Sequence, residues 1–414
     1  MTGSKKHRLA LPSPAQAAWQ DLEIGMFIHF APNTWQDQHY DMLYTPLSEI
    51  NPKELDAAQW VDVAESMNAK YIVFTAKHCG GFCMWPTKTT DYSVKSIPWR
   101  KGKGDICGDL AKECRKRKMP LGFYLSPRDD HFGITTSGIA RSGRSCHQEL
   151  YNKIYRQQLE ELCTGYGKLV EIWFDGGADG DLAGPVIKKY QPEAMVFGSN
   201  RATIRWVGNE DGVAPYPARN TVSNNDKDWS PERNAAAGGK GTKWMPAECD
   251  VAIRRDWFWF TTNEGTLKSL DKLMDIYYRS VGHGCNLLLN HTPDRTGLIP
   301  SADVERAAEF GIEIKNRFSS LLAETKGKGS VFELDLEKDT VIKHFVAMED
   351  IRHGERVRAY RIEVLANDEW KTIVTGSAVG HKKIDRIEPV MASRARLRVL
   401  KSAGTPVIRS FAIY

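Results

Sequence analysis

The sequence predicts a (β/α)8-like barrel followed by a C-terminal antiparallel β-sandwich. Eight short apolar runs rich in β-forming residues lie between about residues 20 and 320, and amphipathic helical patterns follow most of them. Beyond that region only short strand-like runs separated by turns remain. Strands that alternate with helices are typical of parallel sheets, so a doubly wound sheet is the alternative to the barrel.

The predicted barrel strands and helices can be assigned to short stretches of the chain. The strands are GMFIHF (25–30), YIVFTAK (71–77), LGFYLS (121–126), EIWFDG (171–176), AMVFG (194–198), 205–208, 244–247 and NLLLN (286–290). The helices are 56–67, 105–117, 148–163, 266–281 and 301–322. The fifth to seventh units are less regular than the others.

The pattern of the chain changes after the last of these helices. The sequence ETKGKGS (324–330) is interpreted as a linker rich in Gly and Lys, and short strands with turns fill the remainder. The predicted divisions are a disordered leader over 1–15, a (β/α)8-like catalytic domain over 16–325 and a β-sandwich over 326–414. The sandwich lacks an obvious cluster of sugar-binding aromatic residues, so its expected role is to support the barrel by packing.

The composition excludes some partners. The net charge of +5 is scattered along the chain, whereas nucleic-acid binding usually takes a concentrated basic face. No uninterrupted apolar stretch approaches eighteen residues, so no membrane span is predicted. The twelve tryptophans suit sugar binding as well as core packing, because a flat indole matches the apolar C–H face of a sugar.

The cysteines and histidines do not indicate a metal site. The eight cysteines form no Cys-x-x-Cys pair, and the histidines lack the spacing of ligands on one helix. Buried free thiols are the preferred interpretation of the cysteines, and one or more disulfides are the alternative. Neither a metal nor another cofactor is predicted.

Asp175 is the strongest candidate for a chemical role. It follows the apolar run 172–174 at the end of a predicted buried strand, where an ionised carboxylate needs supporting neighbours. The alternative is that Asp175 caps the following turn. Other predicted strands also end in polar side chains: His29, Lys77, His78, Tyr124 and Glu210. Because the strand ends of a barrel meet on one face, these residues predict a site there.

The expected chemistry needs two carboxyl groups with different protonation. A retaining glycosidase holds them about 5 to 5.5 Å apart, with one ionised for attack and the other protonated for donation. Asp175 suits the ionised role because it lies on a rigid strand. Glu210 in RWVGNE and Glu248 in WMPAECD are both candidates for the proton donor, and sequence distance does not choose between them.

Seven motifs resemble, in the same order, those of the family 29 glycoside hydrolases, the retaining α-L-fucosidases. They are GMFIHF, AKHCGGFCMWPTKTTDYSV, GFYLSP, WFDGG, RWVGNEDG, WMPAECDVAIRRDWFW and VGHGCNLLLNHTPDRTGLI, and they cover about residues 15–320. The resemblance implies a catalytic barrel followed by a β-sandwich. It also implies an oligosaccharide or glycoconjugate substrate and no cofactor, and it is compatible with a homo-oligomer.

The resemblance assigns roles to single residues. Asp175 in WFDG is implied to be the nucleophile and Glu210 in RWVGNE the acid/base of a retaining exo-α-L-fucosidase. The RWVGNE motif is similar to that of the branch preferring α-1,3 and α-1,4 linkages. The residues implied to hydrogen-bond or stack on the sugar are His29, His78, Tyr124 and Trp229. Those implied to line the same pocket are Glu248, Arg254, Trp257 and Trp259.

Two departures from the family pattern concern sugar recognition. This chain has Cys79-Gly80 after His78 where relatives usually continue with His-Asp, and it has His39-Tyr40 where they usually have Glu-Trp. Lost hydroxyl partners can change specificity. The alternatives are therefore a retaining exo-glycosidase for a related α-L-sugar, such as an α-L-galactoside, and a non-catalytic carbohydrate-binding barrel.

The location of the protein is expected from the resemblance alone. The N-terminal sequence MTGSKKHRLALPSPAQ has a basic start but lacks the apolar core of a signal peptide. The resemblance implies a periplasmic or secreted protein.

Overall fold

A computed structural model describes residues 9–222, 241–366 and 368–414, and the first domain is a nearly closed parallel barrel. The first ten strands are β1 (Ile24–Ile28), β2 (Tyr71–Lys77), β3 (Leu121–Leu125), β4 (Leu169–Ala178), β5 (Met195–Ser199), β6 (Arg205–Trp206), β7 (Thr221–Val222), β8 (Lys243–Trp244), β9 (Ala247–Ala252) and β10 (Asn286–His291). Eight of them form one sheet in the order β5-β4-β3-β2-β1-β10-β9-β6. Its two ends, β5 and β6, lie in contact, so the predicted barrel is confirmed.

Helices surround this sheet. The described helices are α1 (Pro14–Gln20), α2 (Asn33–Gln36), α3 (Ala57–Ser66), α4 (Ile106–Arg117), α5 (Ser145–Gly165), α6 (Gly180–Tyr190), α7 (Leu270–Arg279) and α8 (Ser301–Phe318). Side-chain caps start several of them: Asp56 accepts from the backbone at α3, and Asp105 accepts from Gly108 N at 2.8 Å in α4. Helix α1 begins at Pro14, inside the segment expected to be a leader, and residues 1–8 lie outside the described part.

The seventh barrel strand is β9, so the predicted segment 244–247 is wrong in position. Pro246 precedes β9 and has no amide hydrogen to give to a strand ladder. Upstream of it, β8 pairs with β7 as a separate antiparallel ribbon. The sequence AECDVA concealed the strand because Glu248 and Asp250 interrupt its apolar character, yet all its residues are buried.

The C-terminal domain is an antiparallel sheet folded around its own core, as predicted. Its six strands are β11 (Ala323–Lys328), β12 (Val331–Glu349), β13 (Val357–Ala366), β14 (Glu369–Gly376), β15 (Lys383–Ser402) and β16 (Val407–Ile413), in the order β11-β16-β12-β15-β13-β14. The long strands β12 and β15 pair with each other along most of their length, and the register of this pairing shifts twice. The buried core includes Phe345, Tyr360, Leu397 and Phe411.

The segment 324–330 is not the predicted linker. Most of it belongs to β11, which pairs antiparallel with β16 and has alternating exposed and half-buried residues. Backbone pairing with the edge of a sheet does not require apolar side chains, which is why a segment rich in Gly and Lys can form a strand. Helix α8 ends at Phe318, earlier than the predicted end at residue 322.

The sandwich holds the part of the barrel that follows β6. Arg219 Nη2 donates to the carbonyl of Ser377 at 2.6 Å. Asn220 Nδ2 donates to Glu355 Oε1 at 2.8 Å. Arg219, Asn220 and Glu355 are buried, so these hydrogen bonds between the domains are shielded from bulk solvent. The sandwich therefore fixes the backbone of residues 219–220.

All eight cysteines are unpaired thiols. Seven of them are buried and Cys146 is exposed, so the preferred interpretation holds for the seven. In the described parts of the chain, none of the helices is long and apolar enough to cross a membrane.

Candidate active site

The C-terminal ends of the first three barrel strands bring together three rings. His29 follows β1, His78 follows β2 and Tyr124 lies in β3. The ring centroids of His29 and His78 are 5.9 Å apart, and each is 5.7 Å from that of Tyr124. Phe258 closes the cluster at 5.3 Å from His29 and 4.9 Å from His78. The strand-end residues thus form one compact wall.

Asp175 lies beside this wall, where β4 leaves its neighbour β5. The β4–β5 ladder is interrupted between Trp173 and Ala178. A side chain at Gly198 in β5 would collide with the carbonyl oxygen of Phe174, and Gly198 also has a positive φ of 72°. The glycine therefore permits the close backbone approach that turns Asp175 toward the mouth of the barrel.

The Asp175 carboxylate is accessible to water but surrounded by protein on most sides. Tyr124 Oη donates to Asp175 Oδ2 at 2.9 Å. Burial raises the pKa of Asp175, the Tyr124 hydrogen bond lowers it, and the charge of Glu210 raises it. Trp257, whose ring centroid lies 5.1 Å from that of His29, donates to Glu210, so the two carboxylates share the same mouth.

Glu210 is held at the tip of a tight loop after β6. Gly208 begins the loop with a φ of 102°, and Asn209 Oδ1 accepts from Asp211 N at 3.0 Å. Asp211 then forms a bridge with Val251 of β9. The exposed carboxylate itself accepts a hydrogen bond from Trp257 Nε1 at 3.0 Å. Both the backbone and the side chain of Glu210 therefore have fixed partners.

The hydrogen bonds of His29 define its tautomer. Asn290 Nδ2 donates to the carbonyl of Trp257 at 3.0 Å, which turns Asn290 Oδ1 toward His29 Nδ1 at 2.9 Å. Burial lowers the pKa of His29 to about 3, so the ring is neutral and its proton lies on Nδ1. Nε2, which has no protein partner in the described part of the chain, is left as a hydrogen-bond acceptor.

His78 has the opposite arrangement. Its Nδ1 lies 3.3 Å from Cys79 Sγ. Burial lowers the pKa of His78 and raises that of the Cys79 thiol to about 12, so the neutral imidazole faces a protonated thiol. The thiol can donate to Nδ1, which leaves the ring proton on Nε2. The two histidines then offer one acceptor and one donor to a polyhydroxylated ligand.

An aromatic stack supports Tyr124 from below. Trp173 stacks on Tyr124 with a centroid distance of 5.2 Å and on Phe197 with one of 4.1 Å. Trp173 Nε1 donates to Glu248 Oε2 at 3.1 Å, and Tyr71 Oη donates to Glu248 Oε1 at 2.8 Å. Glu248 is fully buried. It therefore lies inside the barrel, below the mouth that holds Asp175.

Glu248 has an acidic neighbour, Glu171 of β4, which is also fully buried. Burial raises the pKa of Glu248 to about 7, and burial together with Glu248 raises that of Glu171 well above its ordinary value. Trp19 Nε1 donates to Glu171 Oε2 at 3.2 Å, while Oε1 has no donor among the described residues. Since two adjacent buried carboxyls cannot both ionise at low cost, we expect a proton between them to satisfy that oxygen.

The other predicted pocket residues lie at different depths. Arg254 is buried and pairs with Asp303 at 2.7 Å, so it stabilises the segment after β9 from within. Trp257 lies at the mouth, 5.1 Å from the His29 ring. Trp259 is half-buried, and the guanidinium carbon of Arg295 lies over it, 5.8 Å from the centroid of the Trp259 ring. Trp229 lies outside the described residues.

The positions that depart from the family pattern are spatial neighbours. The Asp41 carboxylate occupies the space that a side chain at position 80 would need, because a Cβ on Gly80 would collide with it. Asp41 is buried and accepts from Tyr92 Oη at 2.6 Å. Next to it, the ring of Tyr40 packs under the guanidinium of Arg128 at 4.9 Å. The carboxylate absent from position 80 is thus replaced in space by Asp41.

Four residues of the site were not found from the sequence. Asn290 fixes the tautomer of His29, and Trp173 supports Tyr124. Trp206, at the end of β6, donates from Nε1 to Asp250 Oδ1 at 2.7 Å and leaves much of its indole exposed. Asp250 and Asn290 could be suspected only as polar residues in buried strands. Trp206 belongs to the motif RWVGNE, whose Trp gave no signal of its exposure.

Among the described residues, no group of three or more His, Cys, Asp or Glu side chains is arranged to hold a metal ion. At the mouth of the barrel the described residues offer two carboxylates, hydroxyl and imidazole hydrogen bonds, and aromatic faces. Two carboxylates beside such groups suit the cleavage of a glycosidic bond.

Comparison with known proteins gives one family. Residues 34–316 match the family model described as alpha-L-fucosidase. The chain is 34% identical to alpha-L-fucosidase 1 of Arabidopsis thaliana, over 98% of this chain and 88% of that protein. A solved candidate alpha-L-fucosidase from Bacteroides thetaiotaomicron superposes with a TM-score of 0.93 at 35% identity, covering 98% of this chain and 99% of that one. A glycoside hydrolase 29 family member from a rumen bacterium superposes with a TM-score of 0.87 at 33% identity, covering 98% and 77%.

Proposed function

This chain belongs to the α-L-fucosidase family, glycoside hydrolase family 29, and we propose that it releases terminal α-L-fucose from glycans by double displacement with retention. It is a glycoside hydrolase, and the finer assignments below are proposals. The observation that carries them is the pairing of two carboxylates at one barrel mouth: Asp175, hydrogen-bonded by Tyr124, and Glu210, hydrogen-bonded by Trp257.

In the first step, a carboxylate oxygen of Asp175 attacks the anomeric carbon. The bond from this carbon to the glycosidic oxygen breaks, and Glu210 gives its proton to that oxygen as the aglycone leaves. The products are an ester between the sugar and Asp175, a free alcohol and an ionised Glu210. Tyr124 supports the attack because its hydroxyl stabilises the ionised form of Asp175.

In the second step, Glu210 removes a proton from water, and the water oxygen attacks the anomeric carbon. The ester bond to Asp175 breaks, so Asp175 is again ionised and Glu210 again protonated. Two inversions give net retention. The oxocarbenium-like transition states are cationic, so the Asp175 carboxylate stabilises them more than the ground state.

The proposed sugar contacts follow from the tautomers of the two histidines. His29 Nε2 accepts from one sugar hydroxyl, and His78 Nε2 donates to another oxygen. Tyr124 and Trp257 bound the same space. Glu248 and Arg254 act from beneath the pocket by holding other residues, which supports Glu210 rather than Glu248 as the acid/base. The proposed linkages are α-1,3 and α-1,4, on the resemblance of the RWVGNE motif.

The test uses 4-nitrophenyl α-L-fucoside and a fucosylated Lewis-type trisaccharide. The wild type is expected to release fucose from both, with the α-anomer formed first in a proton NMR time course. Asp175→Ala and Glu210→Ala are expected to lose most activity, and azide is expected to rescue them because a small anion can replace a missing carboxylate. The β-anomer as first product would overturn the retaining mechanism.

A glycoside panel tests the identity of the sugar. If the protein cleaves 4-nitrophenyl α-L-galactoside but neither fucoside, the assignment changes to the related sugar. Binding of fucose without turnover of any glycoside would favour the non-catalytic alternative.

We also propose that the protein acts in the periplasm or outside the cell, where glycan substrates are exposed. Fractionation of the source cells with an antibody to this chain tests the location. Recovery with the cytoplasmic fraction alone would contradict it.

A further inference from the structure

Trp206 is the most exposed tryptophan in the described part of the chain, with 42% of its surface accessible. It ends β6 and lies in register with Glu248, whose side chain faces the barrel interior. Register partners in a parallel pair lie on the same face of the sheet. The exposed indole is therefore part of the barrel mouth and not of the outer surface.

The orientation of this indole is fixed. Its single polar atom, Nε1, donates to Asp250 Oδ1 at 2.7 Å, and Asp250 is only 4% exposed. Because the one polar atom of the indole is bound to Asp250, the surface that stays exposed is the apolar ring surface. Such a face is suited to a flat apolar partner such as the C–H face of a pyranose.

Trp206 lies on the side of Glu210 and away from the histidine wall. It precedes Glu210 by four residues in the chain, and Asp250, which holds Trp206, also feels the charge of Glu210. In the described residues Trp206 has no ring contact with His29, His78 or Tyr124. Trp257 donates to Glu210, so this acid is itself hydrogen-bonded by an indole at the mouth.

We propose that Trp206 is the stacking platform for the aglycone, that is, for the sugar ring whose oxygen leaves with the proton of Glu210. This inference rests on the proposed function. Glu210 must reach the glycosidic oxygen, so the ring bearing that oxygen lies next to Glu210. The fucose ring occupies the space bounded by His29, His78 and Asp175. The ligand class for Trp206 is a pyranose of a glycan chain.

The experiment compares a substrate that has an aglycone ring with one that has none. Substrates are the Lewis-type trisaccharide and α-L-fucosyl fluoride, whose leaving group is a single atom that can depart as an anion. Trp206→Ala is expected to lower kcat/KM about tenfold on the trisaccharide, mainly through KM, and to leave it within about twofold on the fluoride. Trp370→Ala, at a half-buried tryptophan in β14, is the matched control and is expected to change neither value.

Trp206→Phe keeps an aromatic ring in the same place, so the proposal can still be tested if the alanine variant fails to fold. It is expected to lower kcat/KM on the trisaccharide about threefold and to spare the fluoride. Equal losses on both substrates, or no loss on the trisaccharide, would overturn the role of Trp206. A wild type that cleaves neither substrate would instead overturn the proposed function, and this inference with it.

Discussion

Two pairs of acids occupy different depths of the same barrel. Strand β4 carries Glu171 and Asp175 four residues apart, and each has an acidic neighbour from β9 or from the loop after β6: Glu248 for the lower one and Glu210 for the upper one. The lower pair is fully buried, whereas both members of the upper pair are open to water. The same type of side chain is therefore enclosed by protein in the lower pair and exposed to water in the upper pair.

The difference shows that depth, more than residue type, decides what an acid can do. Burial raises the pKa of both lower carboxyls, which favours their protonated forms, and they serve as acceptors for Tyr71, Trp173 and Trp19. In the upper layer, Tyr124 supports ionisation of Asp175. The lower layer holds the aromatic stack in place, and the upper layer is free to react.

The sharpest test replaces one acid of each layer by its amide. Asp175→Asn is expected to lower kcat on 4-nitrophenyl α-L-fucoside on the order of 10⁴-fold, because the amide is a poor nucleophile. Glu171→Gln is the matched control and is expected to keep kcat within about threefold, since it only replaces a protonated carboxyl. A comparable loss in both variants would remove the distinction between the layers.

Removal of a lower acid is expected to affect stability. Glu248→Ala leaves Tyr71 and Trp173 without their acceptor and creates a cavity, so we expect the free energy of unfolding to fall by about 3 kcal/mol. Glu210→Ala should change it by less than about 0.5 kcal/mol, because the side chain is exposed. Urea denaturation measures both values. A larger loss of stability for Glu210→Ala than for Glu248→Ala would contradict the structural role assigned to Glu248.

The lower pair also predicts a pH dependence of stability. Its folded pKa values are raised, that of Glu248 to about 7 from an ordinary value near 4.5. The stability from the protonated pair is therefore fully present below pH 4.5 and is lost as the pH rises through 7. The double variant Glu171→Gln, Glu248→Gln should lose less stability than the wild type between pH 5 and pH 8, by about 2 kcal/mol. Identical pH profiles of Tm would show that the pair does not share a proton.

The upper layer predicts a smaller change, in the pH profile of activity. In the proposed mechanism Asp175 must be ionised to attack, and burial raises its pKa, so the acid limb of kcat/KM should lie at a higher pH than an ordinary aspartate would give. Tyr124→Phe removes a hydrogen bond that favours the ionised form and should move this limb to higher pH. Glu171→Gln should leave the limb in place. A limb that moves to lower pH in Tyr124→Phe would contradict the role of the hydroxyl.

The sequence was sufficient to identify the acids at the strand ends, but it did not predict how deeply each one is buried. Asp175 stands out because an acid after three apolar residues is unusual, and Glu210 because its motif is distinctive. Glu248 was open to two interpretations, since its depth depends on where β9 begins, and the acids in AECDVA concealed that strand. Long-range partners such as Asn290 for His29 depend on barrel closure, and local patterns carry no information about it. The β11 strand was missed because its pairing with β16 is made by the backbone.

The contact of Arg219 and Asn220 with the sandwich also bears on modular engineering. These residues lie nine and ten positions beyond Glu210 on the same stretch of chain. Their partners, Ser377 and Glu355, belong to the C-terminal domain. A chimera that receives its sandwich from another protein therefore also receives a new anchor for the segment that carries Glu210, the proposed acid/base. The C-terminal domain thus helps to fix the backbone that follows Glu210, although none of its described residues contributes a side chain to the mouth.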